Sequence, residues 1–316
     1  MDVELNGKAS PVLTGKVAIV TGAGRGLGRS YALGLAAAGC AVVVNDADED
    51  AATTVTAEIR GSGGKAVAAP GRIGPESAAQ KLVALAVEEF GRLDIMVANA
   101  GILRDKVTWK MEESDFDLVI ETHLKGAWTC GKAAAIRMRE QGEGGRIILI
   151  GSPAGQYGSF GQSNYAAAKA GIVAMARTWS LELARDRITA NVVVPTAMTA
   201  MTATIPVYAE WAAAFEEGFP LPPMARRDHA LGGPEDVVPL IVWLASDGAA
   251  TVTGQTLGIG GDRVSLYSHP AEHRHALSEG GWSAEDLGQL WDEEWSADAQ
   301  PSGPTPKPDP SEAPAR

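Results

Sequence analysis

The sequence predicts an α/β protein, a single doubly wound domain with a seven-stranded parallel sheet. Short β-branched segments alternate with longer Ala- and Leu-rich stretches, which is typical of strands connected by crossover helices. The seven segments are KVAIV, AVVVN, KAVAA, LDIMVAN, GRIILIGS, ITANVVVP and QTLGIGG. They are apolar nearly throughout, instead of at every second position, so we expect helices to cover both faces of the sheet.

Three further parts flank this domain, which is predicted to span 15–261. An N-terminal extension occupies 1–14, and a C-terminal extension occupies 262–299. The last stretch, 300–316, is rich in proline and has almost nothing to bury, so we expect it to be disordered.

The C-terminal extension is predicted to contain one helix. The run from Ser283 to Asp286 is a typical capping sequence for its start. The apolar residues that follow share one side of the helix, and they are Leu287, Leu290, Trp291 and Trp295. Two exposed tryptophans would be costly, so we expect this helix to dock on its own subunit or on a neighbour.

Charge and composition exclude several classes of function. The formal net charge is −12, and the stretch 262–316 alone contains eleven acidic and four basic residues. Nucleic-acid binding needs a clustered basic face, which the sequence lacks, so a small molecule is the expected partner. No apolar run is long enough to enter a membrane and no signal peptide is visible, which favours a cytoplasmic protein. Cys40 and Cys130 lack the spacing of metal ligands and are expected to be free buried thiols, so no metal site is predicted.

A glycine-rich turn follows the first predicted strand. Gly22, Gly26 and Gly28 have the spacing G-x-x-x-G-x-G, and an Ala- and Leu-rich helix comes directly after them. Without side chains the backbone approaches a pyrophosphate closely, and the helix N-terminus supplies N–H donors and a favourable dipole. The turn therefore predicts a dinucleotide site of the Rossmann type, in which we include Arg25 and Leu27.

Asp46 ends the second predicted strand, 24 positions after Gly22. A carboxylate there accepts hydrogen bonds from an adenosine ribose and repels a 2′-phosphate, so NAD is favoured over NADP. Two alternatives stay open. Asp46 is a solvated loop carboxylate in the first, and Arg25 or Arg29 accepts the phosphate of NADP in the second.

Ser152, Tyr165 and Lys169 form the strongest constellation in the sequence. Tyr165 follows Ser152 by thirteen positions, and Lys169 lies four positions further on, one turn along the same helix face. A nearby ammonium favours the phenolate and lowers the tyrosine pKa towards the working pH, as general acid–base catalysis requires. We therefore predict that Tyr165 and Lys169 carry the proton chemistry and that Ser152 binds the same substrate oxygen.

These motifs resemble the signature elements of the short-chain dehydrogenase/reductase family. The segments that carry the resemblance are Thr21 to Gly28, Ala98 to Gly101, Ser152, and Tyr165 to Lys169. The match covers roughly 15–261, the whole predicted domain. It implies an NAD(P)-dependent oxidoreductase with a Rossmann-type fold.

The resemblance also implies a role for each matching residue. Tyr165 exchanges a proton with the substrate hydroxyl or carbonyl while a hydride moves to or from the nicotinamide. Lys169 holds the nicotinamide ribose, and Ser152 orients the substrate oxygen. The residues that shape the cofactor pocket after the fourth strand are Asn99, Ala100 and Gly101.

A narrower resemblance is carried by GILRDKVTWKM, HLKGAW and GQYGSFGQSNYAAAKAGI. These segments are similar to the (3R)-hydroxyacyl-CoA dehydrogenase part of multifunctional enzyme type 2, also called 17β-hydroxysteroid dehydrogenase type 4, and to its bacterial single-domain relatives. The likeness implies oxidation of a secondary alcohol on an acyl-CoA or sterol-like substrate. This branch has His123 where many family members have Asn. His123 then serves a proton relay or is a hydrogen-bonded structural histidine.

Two further positions depart from the family pattern. Arg72 stands near the third strand, where the family often has an Asp that contacts adenine. Pro195-Thr196 replaces the usual Pro-Gly after the sixth strand. Pro195, Thr196 and Thr199 are the residues expected to contact the nicotinamide side of the cofactor.

A long excursion, 202–233, separates the sixth strand from the next helix and is rich in proline and aromatic residues. We expect a lid over an apolar substrate, and the alternative is a surface insertion packed on the body. Arg226 and Arg227 are available in it to meet CoA phosphates. The predicted substrate-contacting residues are Gln156, Tyr157, Tyr208, Trp211 and Phe215.

The function that follows is hydride transfer between NAD and a secondary alcohol or ketone. The family resemblance implies a homodimer or homotetramer. The main alternative is an NADPH-dependent ketoreductase of the 3-oxoacyl type. An alternative of another class is a non-catalytic scaffold that keeps the nucleotide pocket, but the retention of Ser152, Tyr165 and Lys169 argues against it.

Overall fold

A computed structural model describes residues 12–199, 202–300, 302–303 and 307–309. The predicted N-terminal extension lies outside the described residues except for its last three. Among these, Leu13 is fully buried in the core, and its N–H donates to the carbonyl of Ala38. Packing of the domain therefore begins at least two residues before its predicted start at residue 15.

Within the described residues, eight strands form one sheet. In chain order they are β1 (Val17–Thr21), β2 (Ala41–Asp46), β3 (Lys65–Pro70), β4 (Ile95–Ala98), β5 (Gly145–Ile150), β6 (Ile188–Pro195), β7 (Thr256–Gly260) and β8 (Arg263–Leu266). Across the sheet they lie in the order β3-β2-β1-β4-β5-β6-β7-β8. The first seven are all parallel, which confirms the predicted parallel sheet. Their carboxyl ends consequently meet at one edge.

The eighth strand corrects the predicted count of seven. It runs antiparallel to β7, and Gly260 pairs with Arg263, so that Gly261 and Asp262 alone form the turn. Gly261 has a φ of +49°, in the left-handed region that two-residue hairpin turns favour. This edge strand is mostly exposed and lacks the continuous apolar run of the other strands, so its sequence did not mark it as a strand.

Helices cover both faces of this sheet, as predicted. The α-helices are α1 (Gly26–Ala37), α2 (Glu49–Gly61), α3 (Glu76–Phe90), α4 (Glu113–Ile120), α5 (Gly126–Gln141), α6 (Ala154–Tyr157), α7 (Ser163–Glu182), α8 (Ala209–Glu216), α9 (Pro223–Arg227), α10 (Val238–Ala245) and α11 (Ala284–Leu290). Helices α3, α5 and α7 pack on one face, and α1, α2 and α10 pack on the other. In the described ranges, no helix is long and apolar enough to cross a membrane. Cys40 and Cys130 are buried free thiols.

The chain does not leave the helical path between α4 and α5. Glu121–Lys125 forms a π-helical turn that joins the two helices into one continuous run. Single π turns within helices occur frequently at functional sites, because the wider turn redirects one side chain. His123 lies in this turn.

The excursion 202–233 forms a small core of its own. Trp211 and Ala212 from α8 pack with Ala225 from α9 and with Leu221 and Leu231 from the adjoining loops. This cluster is separate from the two clusters that line the sheet. The excursion is therefore a compact unit that adjoins the carboxyl edge of the sheet after β6.

The C-terminal extension contains the predicted helix, α11, with the predicted cap. Ser283 Oγ accepts from the N–H of Asp286 at 3.1 Å, and the Asp286 carboxylate accepts from the N–H of Ser283 at 3.0 Å. Leu287 and Trp291 are 50% and 49% exposed, respectively. Contacts within the described part of this one chain thus leave half of each side chain uncovered.

Because the excursion has its own core, it should lose structure independently of the sheet. Trp211→Ala should cost the excursion about 3–5 kcal/mol of local stability, the usual range for a truncated buried aromatic side chain. Hydrogen exchange measured by mass spectrometry should then show lost protection across 202–233, with little change in the strands. Leu35→Ala in α1 is the control, because it should reduce protection throughout the sheet. Equal loss in both regions for Trp211→Ala would contradict the separation of the two cores.

Candidate active site

The glycine turn after β1 is a surface of bare backbone. Gly22 has a φ of +62° and Gly26 a φ of +51°, which favour glycine at both positions. A Cβ built on Gly22 would lie 2.7 Å from the Cα of Ala100, and one on Gly28 would lie 2.0 Å from the carbonyl oxygen of Gly22. Helix α1 begins at Gly26, so its free N–H groups meet the turn. This cradle fits the pyrophosphate of a dinucleotide.

Asn99 clamps the turn to the end of β4. Its Nδ2 donates to the carbonyl oxygens of Thr21 at 2.9 Å and Gly22 at 3.1 Å. In return, Thr21 Oγ1 accepts from the N–H groups of Asn99 at 3.0 Å and Ala100 at 3.1 Å. The segment Asn99–Gly101 is thereby held beside the cradle, where it was predicted to shape the pocket.

Asp46 lies at the end of β2 and is only 6% exposed, so it is not a solvated loop carboxylate. One carboxylate oxygen accepts from the N–H of Gly24 at 2.9 Å, and the other accepts from the N–H of Asp48 at 3.0 Å. A carboxylate has about four acceptor positions, so it retains capacity for two ribose hydroxyls. Of the two arginines considered for a 2′-phosphate, Arg29 is paired with Glu58 at 2.5 Å, and Arg25 is exposed beside the turn.

Lys169 is buried beneath Tyr165 on α7. Its Nζ donates to the carbonyl of Ile150, the last residue of β5, at 2.6 Å, and lies 5.5 Å from the centroid of the Tyr165 ring. Burial lowers the pKa of Lys169 to about 7. The two residues thus meet on one helix face, as their spacing predicted.

The electrostatics of Tyr165 correct one expectation. Burial raises the pKa of its phenol, and a hydrogen bond with Ser152 offsets part of that rise. The net shift is upward, whereas a lowered pKa was expected from Lys169. Burial is the largest cause, and the charge of Asp105 adds a smaller rise, while the Lys169 ammonium donates to Ile150 and lies over the ring. Ser152 is therefore the group that favours the phenolate in this chain.

His123 packs against the ring of Tyr165. Their rings meet edge to face with centroids 5.0 Å apart. His123 Nε2 lies 3.0 Å from the backbone nitrogen and 2.8 Å from the carbonyl oxygen of Ile102. Burial first, and the charge of Lys169 second, lower the pKa of His123 to about 3, so the ring is neutral. Its Nδ1 is buried without a partner in the described part of the chain, which leaves one nitrogen for a relay.

Residues after β6 connect the site to the excursion. The N–H of Thr196, directly after Pro195, donates to Ile259 of β7 at 2.9 Å. Thr199 Oγ1 accepts from the N–H of Thr202 at 3.3 Å. The predicted nicotinamide-side residues therefore border the same edge as Tyr165. Arg72 is exposed after β3.

The aromatic residues of the excursion are not equivalent. Tyr208 stacks on Trp211 with centroids 5.8 Å apart, and Trp211 is only 8% exposed, so it is a core residue of the excursion. Phe215 packs partly buried against the same cluster. His229, which sequence analysis did not single out, lies 3.0 Å through Nδ1 from the Tyr208 hydroxyl and packs edge-on to Trp211. An isolated histidine in an aromatic-rich segment was the available signal.

The C-terminal tail contacts both predicted substrate segments. The N–H of Gly303 donates to the carbonyl of Tyr157 at 2.9 Å, and Pro308 offers its carbonyl oxygen to His229 Nε2 at 2.8 Å. Lys307 Nζ donates to the carbonyl of His229 at 3.2 Å. The rest of the stretch predicted to be disordered, apart from residues 300 and 302–303 and 307–309, lies outside the described residues.

Arg226, which was expected to be available to CoA phosphates, forms two ion pairs within the fold. Its guanidinium pairs with Asp262 at 2.7 Å and with Asp236 at 3.2 Å, which ties α9 to the segments before α10 and after β7. A CoA phosphate would therefore have to compete with these two carboxylates for Arg226. Arg227 is exposed. In the described ranges, no group of three or more His, Cys, Asp or Glu residues could hold a metal ion.

A doubly wound sheet whose glycine cradle faces a tyrosine–lysine pair defines a dinucleotide-dependent oxidoreductase. The family model of the short chain dehydrogenases matches residues 16–207, and the chain belongs to that family. Members of the family bind NAD(P) and act on CH–OH groups of small molecules. This chain is therefore an oxidoreductase of that class with a nicotinamide cofactor.

The chain is similar to named members of two branches of the family, the hydroxyacyl-CoA dehydrogenases and the 3-oxoacyl reductases. A hydroxyacyl-CoA dehydrogenase, ChsB1, from Mycobacterium tuberculosis is 40% identical over 87% of this chain and 87% of its own length. Peroxisomal multifunctional enzyme type 2 from Mus musculus is 40% identical over 76% of this chain, which spans only 31% of that enzyme. A 3-oxoacyl-[acyl-carrier-protein] reductase from Synechocystis is 41% identical over 80% of this chain and 98% of its own length.

A solved structure supports the fold at similar identity. The crystal structure of a short chain dehydrogenase from Mycobacterium avium superposes with a TM-score of 0.79 at 35% identity. The match covers 93% of this chain and 98% of that one.

Ser152→Ala should shift the pH dependence of alcohol oxidation upward. We take the unprotonated form of Tyr165 as the base for oxidation, and the variant loses the hydrogen bond that lowers the Tyr165 pKa. Hydrogen bonds to charged groups contribute about 1.5–3 kcal/mol, so the rising limb of the kcat/KM profile should move by roughly one to two pH units. Ser163→Ala, at the exposed start of α7, is the control and should keep the wild-type profile. A Ser152→Ala profile that coincides with that of the wild type would rule out this role of Ser152.

Proposed function

We propose that this protein oxidises the secondary hydroxyl of a 3-hydroxyacyl-CoA or hydroxysteroid-like substrate with NAD as the cofactor. The observation that carries the proposal is the Tyr165–Lys169 pair on α7, in which the buried Lys169 bonds to the end of β5 and lies 5.5 Å from the centroid of the Tyr165 ring. The Mycobacterium tuberculosis relative, which is named a hydroxyacyl-CoA dehydrogenase, supports the substrate class.

Tyr165 holds the proton that the reaction moves. In oxidation its unprotonated oxygen takes the proton of the substrate hydroxyl, and in reduction its hydroxyl returns a proton to the carbonyl. Ser152 orients the same substrate oxygen. The glycine turn, Asp46 and Lys169 would hold NAD, which would supply the acceptor for the hydride of the carbinol carbon. Lys169 has a pKa of about 7, so it can take part in the proton chemistry of Tyr165. It would also hold the nicotinamide ribose. His123 Nδ1 is the open end of a relay away from the pair.

The preference for NAD rests on Asp46. Its buried carboxylate stands at the turn itself, 2.9 Å from the N–H of Gly24. A 2′-phosphate there would bring about two negative charges against it. Arg29 is engaged by Glu58, so of the two arginines only Arg25 remains to favour a phosphate.

An NADPH-dependent ketoreductase of the 3-oxoacyl type is the second candidate. The Synechocystis reductase, at 41% identity, and the exposed Arg25 favour it. A non-catalytic scaffold is disfavoured, because it has no need to keep Ser152, Tyr165 and Lys169 together. We also propose a homodimer or homotetramer, supported by the uncovered faces of Leu287 and Trp291 on α11.

Tyr165→Phe should abolish turnover while NAD binding persists. The variant keeps the ring against His123 and Lys169 but removes the oxygen that exchanges the proton, so kcat should fall about 10²–10⁴-fold. Turnover is followed by absorbance of the reduced cofactor with a panel of acyl-CoAs and hydroxysteroids, and binding by fluorescence of NADH. Near-normal turnover in the variant would remove Tyr165 from the mechanism. The panel also identifies the substrate class.

Asp46→Ser should raise the KM for NAD and narrow its advantage over NADP. The carboxylate both accepts ribose hydrogen bonds and repels the 2′-phosphate, so its loss should change the ratio of the two kcat/KM values at least tenfold, about 1.4 kcal/mol. Asp48→Ser is the matched control, because it removes a charge from the same loop and keeps a capping hydroxyl for α2. Should the unaltered protein already prefer NADPH, the assignment of Asp46 is wrong and the ketoreductase candidate is favoured.

A further inference from the structure

Gln156, four residues after Ser152, has a side-chain amide nitrogen that is buried without a hydrogen-bond partner among the described residues. Gln156 Nε2 meets no hydrogen-bond acceptor in the described part of the chain, although the residue as a whole is partly accessible. An amide N–H removed from water without a partner costs free energy, so folded proteins keep few such atoms. A group that arrives with the substrate would supply the missing acceptor.

Gln156 follows Ser152 closely along the chain, in the short helix α6. The N–H of Gly155 donates to the carbonyl of Ser152 at 3.1 Å, so a tight turn leads from Ser152 into α6, which begins at Ala154. Gln156 is therefore one turn away from Ser152 along the backbone.

Helix α6 packs directly against α7 at Lys169. A Cβ built on Gly155 would lie 2.6 Å from the carbonyl carbon of Lys169 and 2.8 Å from the nitrogen of Ala170, so a side chain larger than hydrogen does not fit between the two helices there. Gln156, the next residue along α6, is thus held close to the part of α7 that carries Lys169.

We propose that Gln156 donates a hydrogen bond to a second carbonyl oxygen of the substrate, two carbons from the reacting carbon. The inference rests on the proposed function, because the thioester carbonyl of a 3-hydroxyacyl or 3-oxoacyl substrate stands at that position. The reacting oxygen lies at Ser152 and Tyr165, and the thioester oxygen lies at the neighbouring amide. A plain alcohol or ketone leaves that amide unpaired, so Gln156 discriminates between the two kinds of substrate.

The test compares two substrates, acetoacetyl-CoA and a methyl ketone of similar length that lacks the thioester carbonyl. Gln156→Leu keeps the approximate volume and removes both polar atoms. Gln141→Leu is the matched control, because its amide is bonded to both the N–H and the carbonyl of Leu93, at the opposite edge of the sheet. With NADH, Gln156→Leu should reduce the preference for acetoacetyl-CoA, the ratio of the two kcat/KM values, about tenfold and mainly through KM. Gln141→Leu should keep the wild-type ratio.

Thermal unfolding without ligand provides a second readout. Removing an unpaired donor should leave the Tm of Gln156→Leu unchanged or raised, whereas Gln141→Leu loses bonded partners and should have a lower Tm. An unchanged substrate preference in Gln156→Leu, or a loss of Tm as large as in Gln141→Leu, overturns the assignment and leaves the proposed function standing. If the wild-type protein reduces neither compound, the acyl-CoA form of the proposed function fails and the assignment of Gln156 fails with it.

Discussion

The common direction of seven strands determines where each reactive group of the site lies. Their carboxyl ends share one edge, and the glycine turn, Asp46, Asn99 and Ser152 each end or directly follow a strand there. Between β1 and β4 the chain departs to opposite faces, so a crevice opens at that point. Asn99 bonds across it to the carbonyls of the turn, and its amide thus sets the width of the cradle. A slip of β4 against β1 would break this clamp and the cofactor site with it.

Burial at this edge shifts the pKa values of the polar side chains in the site. Lys169 has a pKa near neutrality because it is buried, while burial and the bond to Ser152 shift the pKa of Tyr165 in opposite directions. Two more polar atoms nearby, His123 Nδ1 and Gln156 Nε2, are buried without partners in the described ranges. Such atoms cost stability in the free protein, and functional sites are where folded proteins tolerate that cost. The unpaired atoms therefore lower the stability of the free protein, and a bound ligand could supply their missing partners.

The sequence could predict those parts of the molecule that local patterns encode. Continuous apolar runs marked the seven parallel strands, and fixed spacings marked the glycine turn and the residues Ser152, Tyr165 and Lys169. Features that depend on distant partners were missed or wrong. Arg226 pairs with two carboxylates that come together only in the fold. The partners of His229, Tyr208 and Pro308, are likewise distant in the sequence. The direction of the Tyr165 pKa shift depends mainly on burial, which the spacing of the residues does not specify.

Transfer of an isotopic label tests the central claim most directly. A 3-hydroxyacyl-CoA that carries deuterium on the carbinol carbon is incubated with NAD and the protein, and the reduced cofactor is analysed by mass spectrometry and proton NMR. The account predicts that the deuterium appears at C4 of the nicotinamide, at a rate that Tyr165→Phe abolishes. Reduced cofactor without deuterium, or unchanged label transfer in Tyr165→Phe, would contradict hydride transfer coupled to proton exchange at this tyrosine.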